Sequence, residues 1–143
     1  MTITAGFAFA GEIGRDGRFI AYDNGTVLDT RTNLMWAEED SDSDFDWWNA
    51  KSYCENYRGG GYTDWRMPTQ DELAGLYDAA KTYTTAGGFD VHLTELIHLS
   101  SFGHWSSEAR GAVAAFFNFH EGAGGWHLQP DISFRSLPVR SGK

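Results

Sequence analysis

The chain has 143 residues, 41% hydrophobic and 15% aromatic, with a formal net charge of −9 and a pI of about 4.8. That length suits one domain. The acidic balance excludes a phosphate-backbone binder or a docking surface for anionic lipid, since both need a basic footprint. Nucleic acid is therefore set aside as a partner. Membrane insertion is set aside too, because no apolar run reaches the roughly 18 residues of a span. A single cysteine, Cys54, permits neither an intramolecular disulfide nor a Cys-based zinc site. The opening MTITAGFAFAGEIG has an apolar patch but no basic region before it. It reads as an opening strand, or as the start of a chain whose leader was removed, and not as a signal peptide.

Strands are predicted at Arg18–Tyr22 and Thr26–Leu28 around the turn Asp23-Asn24-Gly25. A second turn, Asp29–Asn33, leads to a short strand at Leu34–Ala37. The acidic, serine-rich loop Glu38–Asp46 precedes the first helix. Asp46 suits its N-cap, and Trp47, Ala50, Cys54 and Tyr57 share one face. Arg58-Gly59-Gly60-Gly61 ends it. The corner GYTDWRMPT then places Trp65 between Asp64 and Arg66, which are expected to pair with each other or with backbone. Pro68 suits a helix start, and Thr69 with Glu72 has capping-box spacing. A second helix is predicted over about 70–83, with Leu73, Leu76, Tyr77 and Ala80 inward, and a weaker helical stretch over Leu93–Leu99. Glycine-punctuated strands follow at His104–Ser107, Ala112–Phe119, Trp126–Gln129 and Ile132–Arg140. The expectation is one α+β unit, residues 1–143, with two helices on a meandering, mostly antiparallel sheet.

Several segments together resemble one family. GTVLDTRTNLMWA, W-x-x-A-x-x-Y-C, GYTDWRMPTQDEL, WSS and LPVRSGK occur in the order typical of the Lcl C-terminal domain family, over about residues 18–143. The resemblance implies a C-type-lectin-like fold, with a small sheet closed by the two chain ends and a long irregular loop region. It implies a bacterial surface, secreted or periplasmic module that binds and does not catalyse. It assigns structural duties to Trp36, Asp64, Trp65, Arg66, Pro68 and Trp105. Some relatives carry a second cysteine near the C-terminal VR motif; here the segment reads RSLPVR, so Cys54 lacks that partner. The founding adhesin is associated with sulfated glycans. A chain at −9 repels such polymers, so that ligand class is not carried over.

The run Asp40, Asp42, Asp44, Asp46 resembles the start of a calcium loop. Counted from Asp42, however, the sixth position is Trp47 and the twelfth is Tyr53, where an EF-hand needs Gly and Glu. A solvated acidic loop favouring a helix N-terminus is the plainer reading. His104, His120 and His127 are the histidines from which a metal-assisted hydrolase would be built, although no H-E-x-x-H spacing occurs. Ser106 and Ser107 lie near His104 without a G-x-S-x-G elbow. The favoured reading is recognition of a glycan or protein surface without a cofactor. Trp126, read as lying on a loop after Gly122–Gly125, is its aromatic anchor. Asn118, His120, Glu121, His127, Gln129 and Asp131 are its polar surround. A homo-oligomerising structural domain is the remaining alternative.

Overall fold

The structure, a computed structural model, describes residues 10–142. Local turn chemistry builds its first half. β1 (Glu12–Asp16), β2 (Phe19–Tyr22), β3 (Thr26–Asp29) and β4 (Leu34–Ala37) form an antiparallel meander. Its turns use left-handed backbone at Gly17, Gly25 and Asn33, the residue types that tolerate it best. α1 (Trp47–Asn56) is capped by Asp46, whose side chain accepts from Asn49 N at 2.8 Å. Ala50 and Cys54 are its buried positions, as the spacing predicts. A 3₁₀ turn at Gly59–Gly61 follows.

α2 (Gln70–Ala74) carries the predicted capping box in full: Thr69 accepts from Glu72 N, and Glu72 accepts from Thr69 N at 2.9 Å. Thr69→Ala is expected to cost about 1 kcal/mol in urea unfolding. A loss within a few tenths would show that packing alone fixes this helix.

The helix predicted to reach residue 83 stops at Ala74. Gly75 caps it, and Asp78 instead turns the chain by accepting from Ala80 N at 2.9 Å. Tyr83 belongs to β5 (Tyr83–Thr84), which pairs β6 (Asp90–Val91). The Tyr83 hydroxyl donates to Ile97 O at 2.5 Å and accepts from Leu99 N at 2.9 Å. That pair of bonds holds 93–99 as turns and overrides the weak helical pattern there. Ala80 is exposed.

β7 (Gly103–Arg110), β8 (Val113–Asn118) and β9 (Ala123–Leu128) make a second antiparallel sheet. The predicted strand Ile132–Arg140 is mostly irregular. Only β10 (Val139–Ser141) is extended in a sheet, antiparallel to β4, so the first sheet has the order β1-β2-β3-β4-β10. The architecture is α+β, with three small antiparallel sheets among the described residues in place of one.

The family corner locks onto β10. Arg66 and Val139 exchange both backbone bonds at 2.9 and 3.0 Å. Asp64 does not pair with Arg66; it takes a two-pronged bond from Arg140 at 2.6 and 3.1 Å, while Arg66 reaches Glu72 at 2.7 and 2.8 Å. Residues two apart in an extended stretch share the face opposite Trp65, and each of these two takes a partner from a different element, β10 for Asp64 and α2 for Arg66. Trp65 is buried between them and donates to Gly59 O at 3.0 Å. The larger core joins Trp36, Trp65, Leu73, Leu76, Phe117, Phe119 and Leu137. A smaller one beneath α1 joins Ala50, Cys54, Met67, Trp105 and Phe134.

Candidate functional site

The glycines before Trp126 serve close packing in a strand, and this corrects its expected loop position. A Cβ on Gly124 would collide with the Gln70 amide, and one on Gly125 would lie 2.8 Å from the Phe116 ring. The amide of Gln70 crosses the sheet to Phe116 O at 3.1 Å and Gly125 O at 3.4 Å. Both glycines therefore pair within the β8–β9 ladder. The actual turn is tighter: Asn118 Oδ1 accepts from His120 N and Glu121 N, and Gly122 closes it at φ +73°.

Alternation along β9 sorts the remaining candidates. Trp126 and Leu128 share a face with Gly124, and α2 covers only the Gly124 end of it. Trp126 is 42% exposed and Leu128 50%. Leu128 pairs with Val113, which pairs with Arg110, and the Arg110 guanidinium lies over the indole at 4.5 Å. His127 points the other way, its ring packed edge-on to Phe134 at 5.3 Å and its Nε2 2.9 Å from Asp131. Gln129 is buried, and its amide donates to Gly111 O and Val113 O at 3.0 and 2.9 Å, closing the sheet end. Asn118, His120 and Glu121 sit at the opposite end of β9. The seven predicted residues thus fall into three places, and only Trp126 lies on the open face. Leu128 and Arg110 join it instead. The i, i+2 spacing of Trp126 and Leu128 is the signal in the sequence that points to this pair.

The histidines do not converge. His104 is buried and donates from Nε2 to Asp40 Oδ2 at 2.7 Å, since a carboxylate can only accept. His120 Nδ1 is 2.6 Å from Asp90 O, and His127 holds to Asp131. The aspartate run is likewise dispersed, and the expectation of a solvated loop fails at its first member. Asp40 is buried and accepts from Ser100 N at 2.9 Å and from the Ser100 hydroxyl. Burial pushes its carboxyl up, but the His104 bond and charge, with the Ser100 bonds, bring it down to about 2. Asp42 and Asp44 face Arg135 at 3.3 and 3.2 Å, while Asp46 caps α1. Among the described residues no three His, Cys, Asp or Glu side chains are grouped to hold a metal ion.

The structural residues of the motif are deeply placed. Trp36, Trp65 and Trp105 are buried, with Trp105 donating to Phe45 O at 2.8 Å, and Pro68 O accepts from Ser107 N at 2.9 Å. The WSS segment thus puts a core tryptophan in β7, as expected. Of the adjacent pair on α1, Trp47 turns in to donate to Ser106 O and Trp48 stays exposed. No helix among the described residues is long and apolar enough to cross a membrane. No curated protein matches the chain. The model of the Lcl C-terminal domain matches residues 25–140, from the β2–β3 turn to β10, so the chain belongs to the Lcl C-terminal domain family.

Proposed function

We propose that this domain is a non-catalytic recognition module with a C-type-lectin-like fold, working outside the cytoplasm, and that it grips a protein surface with the open face of β9. The observation that carries the reading is Trp126 beside Leu128, both about half exposed, with Arg110 stacked on the indole. Aromatic and arginine side chains dominate interface energetics when they lie together in an apolar setting. One indole face is occupied by the guanidinium, and the neighbouring leucine offers a saccharide no hydrogen bond. Both features favour a protein target over a glycan on this face. Among the described residues β9 pairs only with β8, and an edge strand of this kind can accept an added strand. Family membership and the resemblance to the end domain of an adhesin support the extracytoplasmic placement.

Wild type, Trp126→Ala and Leu128→Ser should be compared on arrays of cell-surface proteins and of glycans, with and without a chelator. Wild type is expected to bind protein targets, and Trp126→Ala to lose at least about 2 kcal/mol of affinity. Chelation should change nothing. Binding to glycans alone, or equal binding by all three proteins, would refute the assignment. Cell fractionation tests the placement, which recovery of the protein in the cytosol would overturn.

A further inference from the structure

α1 and Phe45, just before it, line an open surface groove of about 380 Å³ to which no residue of β9 contributes. Its walls carry three rings, Phe45, Tyr53 and Tyr57, and three neutral polar side chains, Asn49, Ser52 and Asn56. Tyr53 lies on the last turn of α1 and Tyr57 is its C-cap, and their rings are neighbours in the groove. Centroids step by 5.7 Å from Phe45 to Tyr53 and by 6.0 Å from Tyr53 to Tyr57, with tilts of only 38° and 34°. The row is rigidly backed. Tyr57 rests edge-on against buried Trp65 at 5.0 Å, and a Cβ on Gly59 would lie 2.5 Å from the Tyr57 ring, so only glycine leaves that ring its place. Phe45 is fixed through its backbone, donating to Phe134 O at 2.8 Å and accepting from Trp105 at 2.8 Å. Burial raises both phenols above their usual range, which keeps their hydroxyls protonated as donors.

We propose that this groove binds a short, uncharged oligosaccharide, stacking successive sugar rings on Phe45, Tyr53 and Tyr57 and hydrogen-bonding their hydroxyls through Asn49, Ser52 and Asn56. Charge selects the class. Among the described residues no carboxylate lines the groove, and Arg58 at its end is held through Nη1 by the carbonyls of Glu55 and Tyr57 at 3.0 and 2.8 Å. Against an anionic glycan stands the net charge of −9. Spacing argues against a proline-rich peptide, the other occupant of tyrosine-lined grooves. A polyproline II helix repeats its face every three residues, about 9 Å, well beyond the ring steps here. Pyranose rings in a chain follow one another more closely.

The test is NMR titration of the full chain with cellohexaose, chitohexaose and maltohexaose, and separately with a decaproline peptide. At least one saccharide is expected to shift the Phe45, Tyr53 and Tyr57 ring resonances. Tyr53→Ala should weaken that binding at least about tenfold and Tyr53→Phe by less, since the ring remains. Trp126→Ala should leave it unchanged, which separates this site from the β9 face. Tyr53 is only half-buried on the helix surface, so its variants are expected to fold, and circular dichroism checks this. The proposal is overturned if no saccharide shifts the three rings, if only the peptide does, or if Tyr53→Ala binds as tightly as wild type.

Discussion

Asp40→Ala is expected to lower the unfolding free energy at neutral pH by about 3 kcal/mol, as loss of several hydrogen bonds to a buried carboxylate does. The side chain ties three segments together: its own loop, Ser100 after the β6 turns, and His104 in β7. Truncation leaves the His104 Nε2 proton without an acceptor in a site closed to water, where the opposite nitrogen, Nδ1, already lacks a partner. His104→Phe should cost less, because the ring keeps its edge-on contact with Phe119 at 5.7 Å while Asp40 retains Ser100. A double-mutant cycle should give a coupling of about 1–3 kcal/mol. The sign of the pH effect follows from the depressed carboxyl. The stabilisation is complete above the ordinary carboxylate value near 4 and is lost as pH falls through about 2. A shift of that size corresponds to roughly 2 kcal/mol. Urea denaturation of wild type and Asp40→Ala at pH 7 and pH 2 checks both statements. The variant's deficit should shrink in acid; a deficit that is constant with pH, or below about 1 kcal/mol at pH 7, would mean that the pair merely fills space.

Features governed by residues within one turn of each other were legible in the sequence. The Asp46 cap, the Thr69–Glu72 box and the meander strands β2, β3 and β4 depend on such neighbours, and each stands where the pattern put it. What the sequence hid depends on partners far along the chain. Asp64 meets Arg140 across 76 residues and Asp40 meets His104 across 64, and no local spacing announces either contact. The second helix was overextended for the same reason: Leu76 and Tyr77 keep helical spacing, yet the contacts of Tyr83 with Ile97 and Leu99 pull the chain into a strand pair. The glycines at 124 and 125 look like a loop in sequence and become strand only because Gln70 and Phe116 need their space. The candidate surfaces were half visible. Trp126 stood out by its type, while Leu128 and the Tyr53–Tyr57 row needed strand and helix periodicity applied to exposed residues as well as to the core.

Ser136→Cys is expected to form a disulfide with Cys54 on oxidative refolding and to raise stability by about 3 kcal/mol. The two side chains already touch, Sγ to Oγ at 3.0 Å, at the foot of α1. Resemblance to the family implies a second cysteine near this C-terminal segment in some relatives, and the contact shows which position would meet the helix. A crosslink over 82 residues removes roughly 4 kcal/mol of denatured-chain entropy. Against this stands the bond from the Ser136 hydroxyl to Ala50 O at 2.8 Å, about 1 kcal/mol, which a thiol replaces poorly. The local frame resists distortion, because Ser136 and Ser41 also exchange bonds at 2.9 and 3.0 Å through backbone and side chain. Burial pushes the Cys54 thiol up to about 12 despite the Ser136 bond, so the native thiol is unreactive and the crosslink must form while the chain folds. Thiol titration after refolding with and without oxidant, followed by urea denaturation of each product, decides the matter. Two free thiols after oxidation, or an oxidised form less stable than the reduced one, would mean that RSLPVR does not sit against α1. The clamp that carries Asp64, Arg66 and β10 would then have to be redrawn, since Leu137 and Pro138 alone separate Ser136 from Val139.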